Sequence, residues 1–200
     1  PSTESEYGSD GIIAFGNKGK IIWETNGSLD FNPVIGDIDA DACDELIAVS
    51  IKRKGIKALG YEQDEVFIAK MPDHTMPSCC IDFNRDRRAE IIYLGPQDIG
   101  WSGILDPISG STKAFTMKKS DWPTWWNIAP VCLSGDFDNN GTVDLAVRAL
   151  MGTGVAIFDG SGACIHNEEL GHLIMKAVSL HTKGGDYLVC QCMDRILITP

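Results

Sequence analysis

Residues 36–49 read GDIDADACDELIAV, and two later stretches repeat the pattern: IDFNRDRRAEIIYL at residues 81–94 and GDFDNNGTVDLAVR at residues 135–148. In each copy, acids or asparagines alternate with other residues through a short loop, and an aliphatic run follows. The loops begin at Asp37, Asp82 and Asp136, which are 45 and then 54 residues apart. Repeats of about 40 to 50 residues are typical of propeller blades and similar arrays.

The surroundings of the three loops are also alike. A short apolar segment precedes each loop, a β-rich segment follows it, and a glycine-containing turn leads to one or two further strands, as in GVAIFDG at residues 154–160. The chain has little helical periodicity. We therefore predict a single all-β domain over residues 1–200, a propeller-like array of four-stranded blades that forms a partial or a small propeller. The predicted blade units are residues 33–71, 78–118, 130–170 and 173–200.

The two ends of the chain fit the same repeating order of strands. Residues 12–15 and 20–24 read as a hairpin, with the turn Gly16-Asn-Lys-Gly between them. Residues 173–200 read as the first strands of a further blade, in which a simple Lys183-Gly-Gly-Asp turn replaces the acidic loop. Either the chain is a piece of a larger propeller, or residues 11–26 complete the blade at residues 173–200 and close a small ring.

The alternating oxygens of each loop match the ligand set that Ca²⁺ prefers. Calcium takes six to eight oxygens at about 2.3–2.6 Å from carboxylates and carbonyls. We predict that loop positions 1, 3, 5 and 9 bind through their side chains and position 7 through its backbone carbonyl. In the order of positions 1, 3, 5, 7 and 9, the ligands are Asp37, Asp39, Asp41, Cys43 and Glu45 in loop one, Asp82, Asn84, Asp86, Arg88 and Glu90 in loop two, and Asp136, Asp138, Asn140, Thr142 and Asp144 in loop three.

Two further loop positions have a structural role. Position 2 is Ile or Phe in every copy, which predicts an anchor in the core. Position 6 favours glycine, because a sharp turn needs positive φ there. Only loop three has a glycine, Gly141, whereas loop one has Ala42 and loop two has Arg87. The expected occupancy by calcium therefore falls from loop three to loop one to loop two.

Two other interpretations of the loops stay open. All three could be Asp-rich turns that cap strands without a metal. In loop two alone, the side chains of Arg85, Arg87 and Arg88 could replace the ion by pairing with the loop acids.

The negative charge of the chain limits the classes of partner that it is expected to bind. With 17 basic and 28 acidic side chains, the net charge is −11, which disfavours nucleic acid and anionic membrane surfaces. No apolar run is long enough to span a membrane, so direct membrane insertion is not expected. Three bound divalent ions would remove about half of the charge imbalance.

The loops resemble the FG-GAP / VCBS repeats of calcium-binding β-propellers, which occur in integrin α heads, bacterial surface and adhesion proteins, and polysaccharide lyases of the rhamnogalacturonan type. The pattern covers residues 11–200, and its specific part is the three loops. The resemblance implies bound Ca²⁺ and a secreted or cell-surface location. Two loops depart from the family at position 6, and the full ring of seven or eight blades is not present.

The resemblance implies a binding module that recognises carbohydrate or protein, with a fragment of a lyase acting on acidic polysaccharide as the alternative. A tryptophan-rich segment offers a ligand surface, since exposed tryptophans stack on sugars or anchor interfaces; its members are Trp122, Trp125 and Trp126. A lyase needs a base and a cation, and His74 with Arg85, Arg87 or Tyr93 could supply them. No nucleophile elbow, P-loop or HExxH motif occurs.

The cysteines give no zinc signature. There are seven, so at least one is unpaired within the chain, and none has CxxC spacing. Most read as small core residues, and their spacing decides no pairing. They are Cys43, Cys79, Cys80, Cys132, Cys164, Cys190 and Cys192.

Overall fold

In a computed structural model of the chain, strands account for all of the regular structure within the described residues. The structure describes residues 12–15, 18–25, 29–50, 55–60, 65–70, 75–95, 102–116, 130–149 and 153–199. Within these ranges there are seventeen strands and no helix, which confirms the all-β prediction. Accordingly, no helix in the described part of the chain has the length and apolar character to cross a membrane.

The strands form five antiparallel sheets, of which four follow one another as blades. The first sheet pairs β1 (Ile12–Phe15) with β2 (Ile21–Thr25). Blade I contains β3 (Leu29–Gly36), β4 (Glu45–Ser50), β5 (Gly55–Leu59) and β6 (Glu65–Lys70). Blade II contains β7 (Met76–Ile81), β8 (Glu90–Leu94), β9 (Gly103–Leu105) and β10 (Thr112–Ala114). Blade III contains β11 (Pro130–Gly135), β12 (Asp144–Ala149), β13 (Gly154–Phe158) and β14 (Cys164–Glu169). Blade IV contains β15 (Ile174–Thr182), β16 (Gly185–Cys192) and β17 (Ile196–Thr199).

Within each blade, every strand pairs with the next one along the chain. This simple up-and-down order follows from the short turns that join antiparallel neighbours. β1 and β2 likewise pair as a hairpin, as the sequence predicts, and in the described residues they form a sheet of their own.

The core lies between blades, in three clusters. One cluster joins blades I and II, a second joins II and III, and a third joins III and IV. Strand β8 of blade II contributes to two of these clusters: Ile91 and Tyr93 pack toward blade I, whereas Ile92 and Leu94 pack toward blade III. Side chains alternate between the faces of a strand, so a continuous apolar run marks a sheet that is buried on both faces. Face-to-face stacking of successive sheets makes this a propeller-like array of blades.

Aromatic and backbone contacts tie blades II and III together at their outer edges. The rings of Phe115 and Phe158 stack with their centroids 4.4 Å apart. Beside them, the Thr116 backbone N–H donates to the Gly162 carbonyl at 2.8 Å, and the Cys164 N–H donates to the Thr116 carbonyl at 2.9 Å. These bonds extend the contact between the blades beyond the apolar core.

All three acidic loops occupy the same place in their blades, between the first and the second strand. Loop one also contacts the loop of the next blade, because the Ala89 N–H donates to the Asp37 carbonyl at 2.8 Å. In blade IV a tight turn between Thr182 and Gly185 joins the first two strands instead, as the sequence predicts.

Candidate functional site

The three loops share an uncommon backbone. Every non-glycine residue with positive φ in the described part of the chain lies at loop position 4 or 6: Ala40 at 68°, Ala42 at 68°, Arg85 at 60°, Arg87 at 75° and Asn139 at 59°. Gly141, at position 6 of loop three, has φ 86°. The left-handed conformation costs an ordinary residue about 1–2 kcal/mol. The prediction of positive φ at position 6 is therefore confirmed, while the second left-handed residue at position 4 was not foreseen.

The first acid of each loop holds this backbone in place. In loop three, Asp136 accepts hydrogen bonds from the N–H groups of Asn140 and Gly141, both at 2.9 Å. Asp82 accepts the equivalent pair from Asp86 and Arg87 at 3.1 Å and 2.9 Å. In loop one, Asp37 accepts from Ala40 at position 4 and from Ala42 at position 6, at 2.7 Å and 3.0 Å. Both oxygens of the carboxylate at position 1 therefore organise the turn, since bonds from N–H groups to a carboxylate are stronger than those to a neutral acceptor.

Positions 3, 5 and 7 form a regular ladder of local bonds. The side-chain oxygen at position 3 accepts from the N–H of position 5, and the oxygen at position 5 accepts from the N–H of position 7. In loop three these bonds join Asp138, Asn140 and Thr142 at 3.1 Å and 2.7 Å. The equivalent residues are Asp39, Asp41 and Cys43 in loop one, and Asn84, Asp86 and Arg88 in loop two. Position 7, whose carbonyl is a predicted ligand, is thus held at a fixed place in all three loops.

Positions 2 and 9 connect each loop to the core. Ile38, Phe83 and Phe137 are buried, as predicted for position 2. Their N–H groups donate to the acid at position 9 at 2.9–3.0 Å, from Ile38 to Glu45, from Phe83 to Glu90 and from Phe137 to Asp144. Each of these acids is the first residue of the second strand of its blade, so its side chain approaches the loop from the side of the apolar core.

Carboxylates from well-separated loop positions converge in loops one and three. One oxygen from each of Asp37, Asp39 and Glu45 lies within 4.8 Å of the others. The same is true of Asp136, Asp138 and Asp144. In both groups the members come from positions 1, 3 and 9, while Asp41 at position 5 is outside the group. Like charges at this separation repel each other, so each group attracts a cation.

Asp144 is the most unusual of these acids. Its side chain is completely buried, and its Oδ2 accepts from the N–H groups of Phe137 at 2.9 Å and Asp138 at 3.3 Å. Its Oδ1 is also buried but has no hydrogen-bond partner. Burial first, and then the neighbouring charges of Asp138 and Asp136, raise the pKa of Asp144 to about 6. A buried acceptor without a donor is costly, and a cation between these three carboxylates would satisfy it.

The acids at position 9 of the other loops show the same tendency. Burial raises the pKa of Glu45, and the nearby Asp39, Asp41 and Asp37 add to the shift. Burial also raises the pKa of Glu90, with a smaller contribution from Asp82 and Asp86. The shared cause is that position 9 stands at the boundary between the core and a cluster of like charges.

Loop two is arranged differently at its centre. The amide nitrogen of Asn84 donates to Asp86 and to Glu90, both at 3.2 Å, and so occupies the place between the carboxylates. Arg85, Arg87 and Arg88 are exposed, and in the described part of the chain no ion pair joins them to the loop acids. An amide, rather than an arginine, thus bridges the acids of this loop.

A residue outside the loops takes part in the third site. Asp186, in blade IV, accepts a hydrogen bond from the Asp136 N–H at 2.7 Å, and its own N–H donates to the Asp136 carbonyl at 3.3 Å. The second oxygen of Asp186 pairs with His181 at 2.9 Å. The bonds from the Asp136 N–H and from His181 lower the pKa of Asp186. Sequence reasoning treated this segment as a simple turn, and no local pattern marks its contact with a residue 50 positions away.

The other candidate residues divide between the core and undescribed parts of the chain. Trp122, Trp125 and Trp126, the predicted ligand-binding residues, lie outside the described residues, as does His74. Tyr93, a candidate partner of His74, is 6% exposed and packs between blades I and II. Burial raises the pKa of its hydroxyl, so Tyr93 serves the core rather than a surface site.

Comparison with known proteins supports the fold. No family model and no curated protein is similar enough to this chain to count as a match. The chain is similar to the crystal structure of a protein of unknown function from Bacteroides caccae, with a TM-score of 0.52 and 13% identity over 91% of this chain and 61% of that one. It also matches the crystal structure of BamB from Moraxella catarrhalis, with a TM-score of 0.45 and 14% identity over 90% of this chain and 56% of that one. The chain therefore spans less than two thirds of the length of either protein, and the likeness concerns the fold alone.

Proposed function

We propose that this chain is a calcium-stabilised binding module of the FG-GAP / VCBS kind, from an extracellular or cell-surface protein. The observation that carries the proposal is the buried, unpartnered Oδ1 of Asp144, which is grouped with carboxylate oxygens of Asp136 and Asp138. A purely structural aspartate would have both oxygens satisfied, because buried polar groups almost always are.

The donor set fits a hard divalent cation. Loop three supplies carboxylate oxygens from Asp136, Asp138 and Asp144, an amide oxygen from Asn140 and the backbone carbonyl of Thr142, all of which are calcium ligands by chemistry. The group contains no cysteine or histidine, which softer metals prefer. Loop one offers a similar set with three carboxylates in one group. Loop two fits less well, because the Asn84 amide nitrogen lies between its acids.

The ion would act on the structure rather than on a reaction. Each loop joins two strands of one blade, and loops one and three also bond to the following blade through the Asp37 and Asp136 carbonyls. A cation that orders these loops would therefore strengthen the contacts between blades as well as the blades themselves. Modules outside the cell bind calcium with dissociation constants of about 10⁻⁴–10⁻³ M, which suits an extracellular location.

Thermal melting in calcium and in chelator, with metal content measured on the same sample, tests the proposal. Calcium at 100 times its dissociation constant adds about 2.7 kcal/mol to stability for each site. For a domain of this size, each occupied site therefore corresponds to a rise in Tm of about 5–10 °C. We expect at least two ions per chain, bound by loops three and one, because those loops group three carboxylates each.

Loop one contains a matched pair of variants. Asp39→Asn changes a grouped carboxylate, whereas Asp44→Asn removes the same charge from position 8, an exposed position outside the ligand set. We expect Asp39→Asn to reduce the calcium-dependent rise in Tm and Asp44→Asn to leave it unchanged. Equal effects of the two variants would mean that the rise in Tm depends only on the overall negative charge of the loop. Absence of bound metal would leave the loops as Asp-rich turns.

The ligand of the module is proposed from the sequence. The aromatic segment at Trp122, Trp125 and Trp126 is suited to stacking on sugar rings or to a protein interface. Binding of the full chain to a glycan array, compared between the wild type and Trp125→Ala with calcium present, tests recognition of carbohydrate. Glycan binding that Trp125→Ala weakens supports this role, whereas binding that is the same in both proteins places the ligand elsewhere.

A further inference from the structure

Two thiols on the first strands of neighbouring blades face one another. Cys79 lies in β7 of blade II and Cys132 in β11 of blade III, and these first strands of the two blades contact each other. The Ser78 hydroxyl oxygen also lies 3.2 Å from the Cys132 sulfur. Both cysteines pack at the border of the apolar cluster between blades II and III. The contact thus spans the interface between two blades.

A local irregularity of β7 produces this arrangement. Ser78 and Cys79 are consecutive, and in a regular strand their side chains would point to opposite faces. The pairing of β7 with β8 shifts register between Pro77 and Cys79, which leaves Ser78 as an extra residue. A bulge of this kind redirects side chains. As a result, Ser78 reaches Cys132 of blade III while Cys79 packs against the same apolar cluster as Cys132.

Other cysteines in the described part of the chain are placed differently. Cys80 points to blade I, since a Cβ built on Gly36 would lie 2.5 Å from the Cys80 Cβ. Cys190 and Cys192 are two residues apart on the single strand β16 and are both buried. A bond within that pair would link one strand to itself, whereas the pair Cys79 and Cys132 would link two blades.

We propose that Cys79 and Cys132 are a site of covalent modification, forming a disulfide bond that joins blades II and III when the chain meets a disulfide oxidant. One cysteine thiolate attacks a sulfur of the oxidant RS–SR and releases one thiolate RS⁻, which leaves a mixed disulfide on the protein. The second cysteine then attacks the protein sulfur and releases the other RS⁻. The two thiol protons end on the two RS⁻ groups, so two RSH form for each disulfide and the oxidant takes up two electrons.

The bond should form slowly in the folded chain. The hydrogen bond to Cys132, together with burial, raises the pKa of the Cys79 thiol, and the thiolate is the form that attacks a disulfide. In the folded chain the reaction therefore speeds up as the pH rises. The sulfur atoms must also approach each other to the length of a disulfide bond, about 2.05 Å.

The reduced, full-length chain incubated with oxidised glutathione provides the test. Intact mass separates a disulfide, which loses two hydrogens, from a glutathione adduct, which adds the mass of glutathione. We expect the loss of two hydrogens and a peptide that links Cys79 to Cys132 under non-reducing conditions. A disulfide that closes a long loop constrains the unfolded chain, so the Tm of the oxidised chain should rise by about 5–10 °C and return on reduction.

Matched variants assign the bond to one pair. Cys79→Ala and Cys132→Ala should lose the linked peptide and the rise in Tm, whereas Cys80→Ala and Cys190→Ala should keep both. A wild-type chain that keeps all of its thiols at equilibrium with oxidised glutathione would overturn the proposal without any variant. A linked peptide that persists in Cys79→Ala would overturn it as well, because the bond would then involve Cys80 or another cysteine.

Discussion

Replacing Asp144 by asparagine should stabilise the chain without calcium and weaken its response to calcium. The asparagine keeps an oxygen that can accept from the Phe137 and Asp138 N–H groups, as Asp144 does now at 2.9 Å and 3.3 Å. Its amide nitrogen then takes the place of the unpartnered Oδ1 and can donate to the carboxylates grouped there. The substitution therefore removes a buried charge and satisfies the site at the same time.

The magnitude follows from the pKa of Asp144, which rises from 3.8 to about 6. One pKa unit corresponds to about 1.4 kcal/mol, so the charged form costs up to about 3 kcal/mol at neutral pH. A neutral isostere recovers part of that cost, and each kcal/mol moves the Tm of a domain this size by about 2–4 °C. In chelator we therefore expect the Tm of Asp144→Asn to exceed that of the wild type by several degrees.

The assay is differential scanning calorimetry of both proteins in chelator and in calcium, with Asp159→Asn as the control. Asp159 accepts two backbone N–H bonds in the turn between β13 and β14, away from the three grouped carboxylates. The control loses the same charge from the same blade and should keep the full calcium response. If Asp144→Asn lowers the Tm equally in chelator and in calcium, the carboxylate is an ordinary structural acceptor and the reasoning is wrong.

Three further predictions rest on the same structure. Gly141→Ala should lower the free energy of unfolding by about 1–2 kcal/mol, because Gly141 has φ 86°; an added Cβ would meet no neighbouring atom, so the cost comes from the backbone conformation alone. Ala42→Gly, at φ 68°, should raise the free energy of unfolding by about 0.5–1 kcal/mol. Urea denaturation in chelator measures both. Because the pKa of Asp144 is raised in the folded chain, the folded chain binds the Asp144 proton more tightly than the unfolded chain does. Stability in chelator should therefore increase as the pH falls from about 6 toward 4, while calcium affinity falls. Thermal melting and calcium titration across this range should show these opposite slopes. Phe115→Ala should cost about 3–5 kcal/mol by removing the stack on Phe158, and equilibrium unfolding that shows less than 1 kcal/mol would mean that the contact between blades II and III does not depend on it.

The repeat was accessible to sequence reasoning because its signals are local. Alternating oxygens, an apolar residue at position 2 and an aliphatic strand after position 9 all lie within a span of 14 residues, and Ile38, Phe83 and Phe137 are buried as this pattern predicts. The β-rich segments and the lack of helical periodicity similarly predicted sheets without helices. Each of these features depends on neighbours along the chain, which the sequence displays directly.

Other features of the site depend on the packing of distant segments. Nothing near Asp136 in the sequence indicates Asp186, and nothing near Cys79 indicates that it shares an apolar cluster with Cys132, since both arrangements cross from one blade to the next. The left-handed backbone at Ala40 was equally hidden, because alanine does not favour it and the bond to Asp37 imposes it.

The number of loops, their oxygen-rich side chains and the all-β class could be derived from the sequence, because spacing and side-chain type are properties of the chain. Which acid is left without a partner depends instead on the packing of the blades, since desolvation depends on what packs around a group. Glu45 and Asp144 both stand at loop position 9 and both are buried, yet in the described part of the chain only Asp144 has a buried carboxylate oxygen without a donor. That oxygen, beside the carboxylates of Asp136 and Asp138, makes loop three the strongest candidate site.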